Sequence, residues 1–149
     1  MNGLAIKNLA HAIAVVAHDG QSRKGLGEPY INHVERVADS VYGWKNKSIA
    51  YLHDVIEDSP IEQTDLFNIG IPEDICYGVF ILSRDKNDSY EEFIRKIITY
   101  SDILNLELIK IKIADIKDNM RDIDDTDMPG LRRRYSKALV ALEEALEGE

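Results

Sequence analysis

Apolar residues recur every three to four positions in segment after segment of this chain, and nowhere does a sustained two-residue alternation run between turn signals. That periodicity restricts the fold to helices packed on their apolar stripes, an all-α class. The spacing predicts a helix over 4–17, where Leu4, Ile6, Leu9, Ala10, Ile13 and Val16 share a face. A loop over 20–28 follows, holding three glycines and two basic residues. Pro29 opens a second helix running to 42, with Val34, Val37, Ala38 and Val41 along one side, and Gly43 ends it. Further helices are predicted over 47–57, 64–68 and 72–83. Ser89 with Glu92 three residues on is a capping-box signature for a helix reaching to 100. Helices over 103–121 and 129–146 complete the chain.

At 149 residues the chain is long enough to bury one ordinary core, and the expectation is a single domain over 1–149. Cys76 stands alone, which excludes an internal disulfide and a cysteine-based zinc cluster. No apolar run approaches the roughly 18 residues of a membrane span, and the interrupted N-terminal stretch does not read as a secretory leader. A cytoplasmic protein with no membrane partner is therefore expected. The net charge of −9 argues against binding to a nucleic acid duplex, which needs a basic face to neutralise phosphates. Any phosphate-bearing ligand must be met by a local basic patch or by a metal ion.

The informative residues are ionisable ones on faces that otherwise belong to the core. His53 lies in register with Ile49, Leu52 and Ile56, and Asp54 stands next to it. Glu57 follows His53 by four residues and Asp58 follows Asp54 by four, so on a continuous helix each pair stacks along one side. Asp115 falls on the row of Leu104, Leu108 and Ile111, and His33 lies four residues before Val37 on an apolar side. Taken singly, a His on such a face is more simply a hydrogen-bonded core residue, and an inward Asp a helix-capping or salt-bridged one. Together, unpaired burial of so many charges is costly, and a divalent cation removes that cost. His33, His53, Asp54 and Asp115 supply two imidazoles and two carboxylates from three helices. That donor set suits Mn, Fe or Zn, and its carboxylate share leans toward Mn or Fe.

The same residues sit in three extended strings. HDGQSRKGLGEPYINH (18–33) resembles the string H-x-G-Q-x-R-K…G-x-P-Y-I-x-H, LHDVIED (52–58) resembles L-H-D-V-V-E-D, and KIADIKDNMRDI (112–123) resembles K-L-A-D-x-x-x-N-M-R-x-L. These are the motifs of HD-superfamily metal-dependent phosphohydrolases, in the form found in the hydrolase domain of RelA/SpoT-type alarmone enzymes and in stand-alone small alarmone hydrolases. The resemblance implies an HD-type helical bundle and places His33, His53, Asp54 and Asp115 on metal-ligand positions, where the ion is usually Mn2+. Glu57 and Asp58 fall on the catalytic acidic pair. Arg23 and Lys24 fall on basic substrate-contacting positions, and Asn119 on a polar position of the nucleoside pocket. The implied substrate is a small phosphorylated nucleotide, foremost guanosine tetra- or pentaphosphate, which loses its 3′-pyrophosphate. Alternatives are an HD phosphatase for NADPH or a nucleoside monophosphate, and a non-catalytic metal- or nucleotide-binding module.

The chain departs from the strings in two places. Val34 stands where relatives usually carry Pro, and Ile116, Lys117 and Asp118 replace a basic residue, Leu, then His or Tyr. The second departure borders the implied pocket. The acidic run Asp122, Asp124, Asp125 and Asp127 fails as a calcium loop, because its sixth position is Asp127 rather than Gly and its twelfth is Arg133 rather than Glu. It reads as a solvated loop, and Arg132, Arg133 and Arg134 read as a surface cluster.

Overall fold

A computed structural model describes residues 1–23, 27–103, 107–121, 123 and 129–148. Among these, the regular structure is helical throughout, with one isolated antiparallel bridge between Ser22 and Pro29. The helices are α1 (Gly3–Ala17), α2 (Tyr30–Asp39), α3 (Trp44–Leu52), α4 (Val55–Asp58), α5 (Gln63–Ile69), α6 (Glu73–Ile81), α7 (Tyr90–Ile103), α8 (Leu108–Met120) and α9 (Pro129–Glu147). The all-α expectation holds. No helix among the described residues is long and apolar enough to cross a membrane.

Helix α3 lies at the centre, packed against α1, α2 and α6, while α8 joins α2, α7 and α9. Ile49, Ala50 and Leu52 of α3 meet Val34, Val37 and Ala38 of α2 and Leu108, Ile111 and Ile116 of α8 in one core, all sealed from water. Burying each such aliphatic side chain is worth about 1.5–3 kcal/mol. The buried stripe of α1 is Ile6, Ala10, Ile13 and Ala14, whereas Leu4 and Val16 are 61% and 74% exposed. The periodicity placed the helix correctly and its flanking apolar residues too deeply. Gly43, at φ +87°, lets the chain reverse into α3 in a backbone region closed to most L-residues.

Two expected helices are divided. The segment predicted over 47–57 is α3 and α4, interrupted at His53 and Asp54. The His53 N–H reaches back only three residues, to the Ala50 carbonyl at 3.4 Å, and Asp54 sits at φ −106°, ψ −1°. The Ala50 carbonyl also takes the His53 ring, its Nδ1 2.6 Å away. The side chain thus competes for a carbonyl that a continuous helix would give to Asp54. The segment predicted over 103–121 begins at Leu108, and Ile103 ends α7 instead. Leu104, named with the apolar row of Asp115, lies outside the described residues, as do Asp122, Asp124, Asp125 and Asp127.

Candidate metal centre

The break after α3 swings His53 and Asp54 to one side, where they meet His33 from α2 and Asp115 from α8. One ligand atom from each of the four lies within 4.8 Å of every other. His33 Nε2 is 3.0 Å from Asp115 Oδ1 and 3.7 Å from Asp54 Oδ2. His53 Nε2 is 2.9 Å from Asp54 Oδ2 and 3.2 Å from Asp115 Oδ1. Both rings and Asp115 are buried, and Asp54 is nearly so.

Groups behind the ligands fix how they point. His53 donates from Nδ1 to the Ala50 carbonyl, and His33 donates from Nδ1 to Asp118 Oδ2 at 2.6 Å. Each of those partners can only accept, so each ring carries its hydrogen on Nδ1 and turns Nε2 to the centre. Tyr30 donates its hydroxyl to Asp54 Oδ2 at 2.6 Å, and Lys112 donates from Nζ to Asp115 Oδ2 at 2.8 Å. In the neutral form of both rings, four lone-pair-bearing atoms face one another across hydrogen-bond distances. Such a set demands a positive charge among them, either a proton or a cation, and its outer hydrogen bonds match those that orient metal ligands. The residues present therefore fit a divalent cation.

The titration behaviour reflects the same crowding. Burial would raise the Asp54 carboxyl and lower the His53 imidazole, but the charge of each on the other prevails. Asp54 is held down to about 2, and His53 is raised well above its ordinary value. Asp115, also buried, is kept well below the usual carboxylate range by Lys112 first and then His53.

Glu57 and Asp58, both carried by α4, flank this centre. A Glu57 carboxylate oxygen accepts the backbone N–H of Arg84, and the Asp58 carbonyl accepts Gln21 Nε2 at 2.7 Å. Both residues are exposed overall. Partial burial of their carboxyl groups nonetheless pushes each above its ordinary value, and the charge of Asp54 adds to it. Because the helix is broken at His53, His53 and Glu57 do not share the continuous helix that the sequence spacing assumed. Asp58 does follow Asp54 by one helical turn, its N–H bonded to the Asp54 carbonyl at 3.0 Å.

Arg23 is buried, with Nη2 donating to the Asp118 carbonyl at 2.7 Å and to Asn119 Oδ1 at 3.1 Å. Asn119 in turn approaches Asp115 Oδ1 with Nδ2 at 3.4 Å. Lys24 lies outside the described residues. Of the arginine cluster, Arg132 donates to the Ile123 carbonyl and Arg134 stacks over the Tyr90 ring at 5.0 Å. Tyr30, Lys112 and Asp118 received no role from the sequence. Tyr30 and Lys112 do match fixed letters of the resembled strings, and Asp118 stands where the chain departs from one.

No family model matches the chain. It is 36% identical over 139 residues to the bifunctional (p)ppGpp synthase/hydrolase SpoT of Escherichia coli, a match covering 86% of this chain and 19% of that one. It is 33% identical over 139 residues to the guanosine-3′,5′-bis(diphosphate) 3′-pyrophosphohydrolase of Vibrio cholerae, with the same coverage. The fold superimposes on a solved metazoan SpoT ortholog, described as hydrolysing ppGpp, with TM-score 0.74 and 25% identity over 97% of this chain and 93% of that one. Over nearly its whole length the chain resembles proteins of the SpoT (p)ppGpp hydrolase kind. It spans about a fifth of the length of the curated relatives it matches.

Proposed function

We propose that this chain is a metal-dependent phosphohydrolase that removes the 3′-pyrophosphate of guanosine tetra- or pentaphosphate by addition of water. The observation that carries the reading is the set of Nε2 atoms of His33 and His53 turned, with Asp54 and Asp115, onto one point. The relatives named for this activity supply the substrate class. His33, His53, Asp54 and Asp115 would hold one divalent ion, with Mn2+ favoured and Fe or Zn as alternatives. When bound, such an ion supplies Lewis acidity toward a phosphoryl oxygen and lowers the pKa of water.

Water adds to the phosphorus attached at the ribose 3′ oxygen, that P–O bond breaks, and pyrophosphate leaves a nucleotide with a free 3′-hydroxyl. Glu57 and Asp58, at the rim of the centre, take the proton of the attacking water and return one to the departing 3′ oxygen. Their upward-shifted carboxyl groups suit a pair that exchanges protons nearer neutrality than an ordinary carboxylate. Asn119 borders Asp115, Arg23 holds Asn119, and these two residues would form the wall nearest the nucleoside, with Lys24 as a further basic contact to phosphate. Since Arg23 is engaged with Asp118 and Asn119, its part is to shape that wall as much as to carry charge.

The test is a nucleotide panel incubated with Mn2+ and resolved by ion-exchange chromatography. Guanosine tetraphosphate is expected to yield GDP and pyrophosphate in equal amounts. Orthophosphate from NADPH or a nucleoside monophosphate, with guanosine tetraphosphate intact, would replace this substrate with another. No turnover of any member would overturn the hydrolase reading.

A further inference from the structure

Helix α8 carries two carboxylates one turn apart, and they take opposite nitrogens of the same ring. Asp115 Oδ1 lies 3.0 Å from His33 Nε2, inside the centre, and Asp118 Oδ2 lies 2.6 Å from His33 Nδ1, behind it. The ring between them is fully buried. Asp118 is itself held from three sides. Arg36 of α2 forks onto it, Nε to Oδ1 at 2.7 Å and Nη2 to Oδ2 at 3.0 Å. Arg121 donates to Oδ1 at 3.0 Å, and Arg23 Nη1 lies 3.0 Å from Oδ2. A carboxylate gripped from this many sides is held in one orientation, so the direction of its bond to His33 is fixed.

The two histidines are supported unequally. His53 Nδ1 rests on a main-chain carbonyl, which no side-chain change removes. His33 Nδ1 rests on one side chain, and that side chain stands where the sequence departs from the string it resembles. We propose that Asp118 is the positioning residue of the metal centre: it keeps the hydrogen of His33 on Nδ1, and with it the lone pair of Nε2 directed at the cation. Arg36, Arg121 and Arg23 serve this by holding Asp118. The inference rests on the reading that the four-residue cluster binds a divalent cation.

Asp118→Ala leaves Nδ1 with no acceptor from that residue, so part of the His33 population moves its hydrogen to Nε2, where the ring cannot ligate. Asp118→Asn keeps an oxygen for Nδ1 but loses the charge. Loss of an outer carboxylate of this kind costs about 10–100-fold in metal affinity. Titration of metal-stripped protein with Mn2+ alone is expected to give that weakening for Asp118→Ala and a smaller one for Asp118→Asn. The second readout needs no variant. Nitrogen-15 NMR of the wild-type chain loaded with diamagnetic Zn2+ should show the His33 hydrogen on Nδ1, exchange-protected and shifted far downfield by its short bond to a carboxylate. Folded Asp118 variants that bind Mn2+ as tightly as wild type, or a His33 Nδ1 hydrogen in the wild type without that signature, would overturn the role of Asp118 alone. A wild-type chain that takes up neither ion overturns the metal reading and this inference together.

Discussion

Lys112 gives the sharpest test of how the centre is charged. Its ammonium lies 2.8 Å from Asp115 Oδ2 and 5.0 Å over the Phe93 ring, and the two charged side chains are 12% and 5% exposed. Lys112→Met keeps the apolar stem and removes the charge. Breaking a buried pair from one side costs about 3–5 kcal/mol, because the remaining charge is stranded. Asp115 retains His33, His53 and Asn119 as neighbours, so the lower end applies, about 3 kcal/mol in metal-free protein. At about 2–4 °C per kcal/mol for a chain of this size, the melting temperature should fall by roughly 6–12 °C in EDTA. A divalent ion among the four ligands offers Asp115 another positive partner and no longer contends with the Lys112 charge. The variant should therefore bind Mn2+ more tightly than wild type, and saturating Mn2+ should at least halve the gap in melting temperature. An equal loss with and without Mn2+ would refute the picture of Lys112 as a counter-charge to a cation site, and no loss at all would show that the pair is not stranded by truncation.

Glu57→Gln preserves an oxygen for the Arg84 N–H but cannot carry a proton, so kcat should fall about 10²–10⁴-fold while Mn2+ affinity stays unchanged. Loss of metal by that variant would remove Glu57 from the acid–base role. The acid limb of kcat/KM should lie above the ordinary value of a carboxyl group, because Glu57 and Asp58 are both raised, and a limb at or below that ordinary value would contradict it. Stability has its own acid dependence. Asp54 is depressed in the folded state from 3.8 to about 2, so its contribution is present above the unfolded value and disappears as the pH falls toward 2. Urea melts of metal-free protein should lose roughly 2 kcal/mol from this group between about pH 5 and 2, and a flat profile would contradict the assignment.

The sequence revealed the helical class through periodicity alone, because a 3.6-residue stripe is legible wherever one face is buried. It also revealed the four clustered side chains, since His and Asp on apolar rows are anomalies that local patterning exposes. What it hid depends on partners far apart in the chain. The interruption at His53 arises from a side chain capturing the Ala50 carbonyl, and residues 47–57 carry no Gly or Pro to announce it. The partners of Asp118 come from three segments, at Arg23, Arg36 and Arg121, so nothing near residue 118 declares its bond to His33. Arg23 illustrates the same limit: its basic character was plain, but its burial against Asp118 and Asn119 follows only from the packing of the 20–23 segment onto α8.

Everything turns on whether two imidazoles and two carboxylates hold one ion. Anomalous diffraction from crystals grown with Mn2+ addresses this directly. A single strong peak is expected, bounded by His33 Nε2, His53 Nε2 and one oxygen each of Asp54 and Asp115. A peak elsewhere, or none at saturating Mn2+, would contradict it.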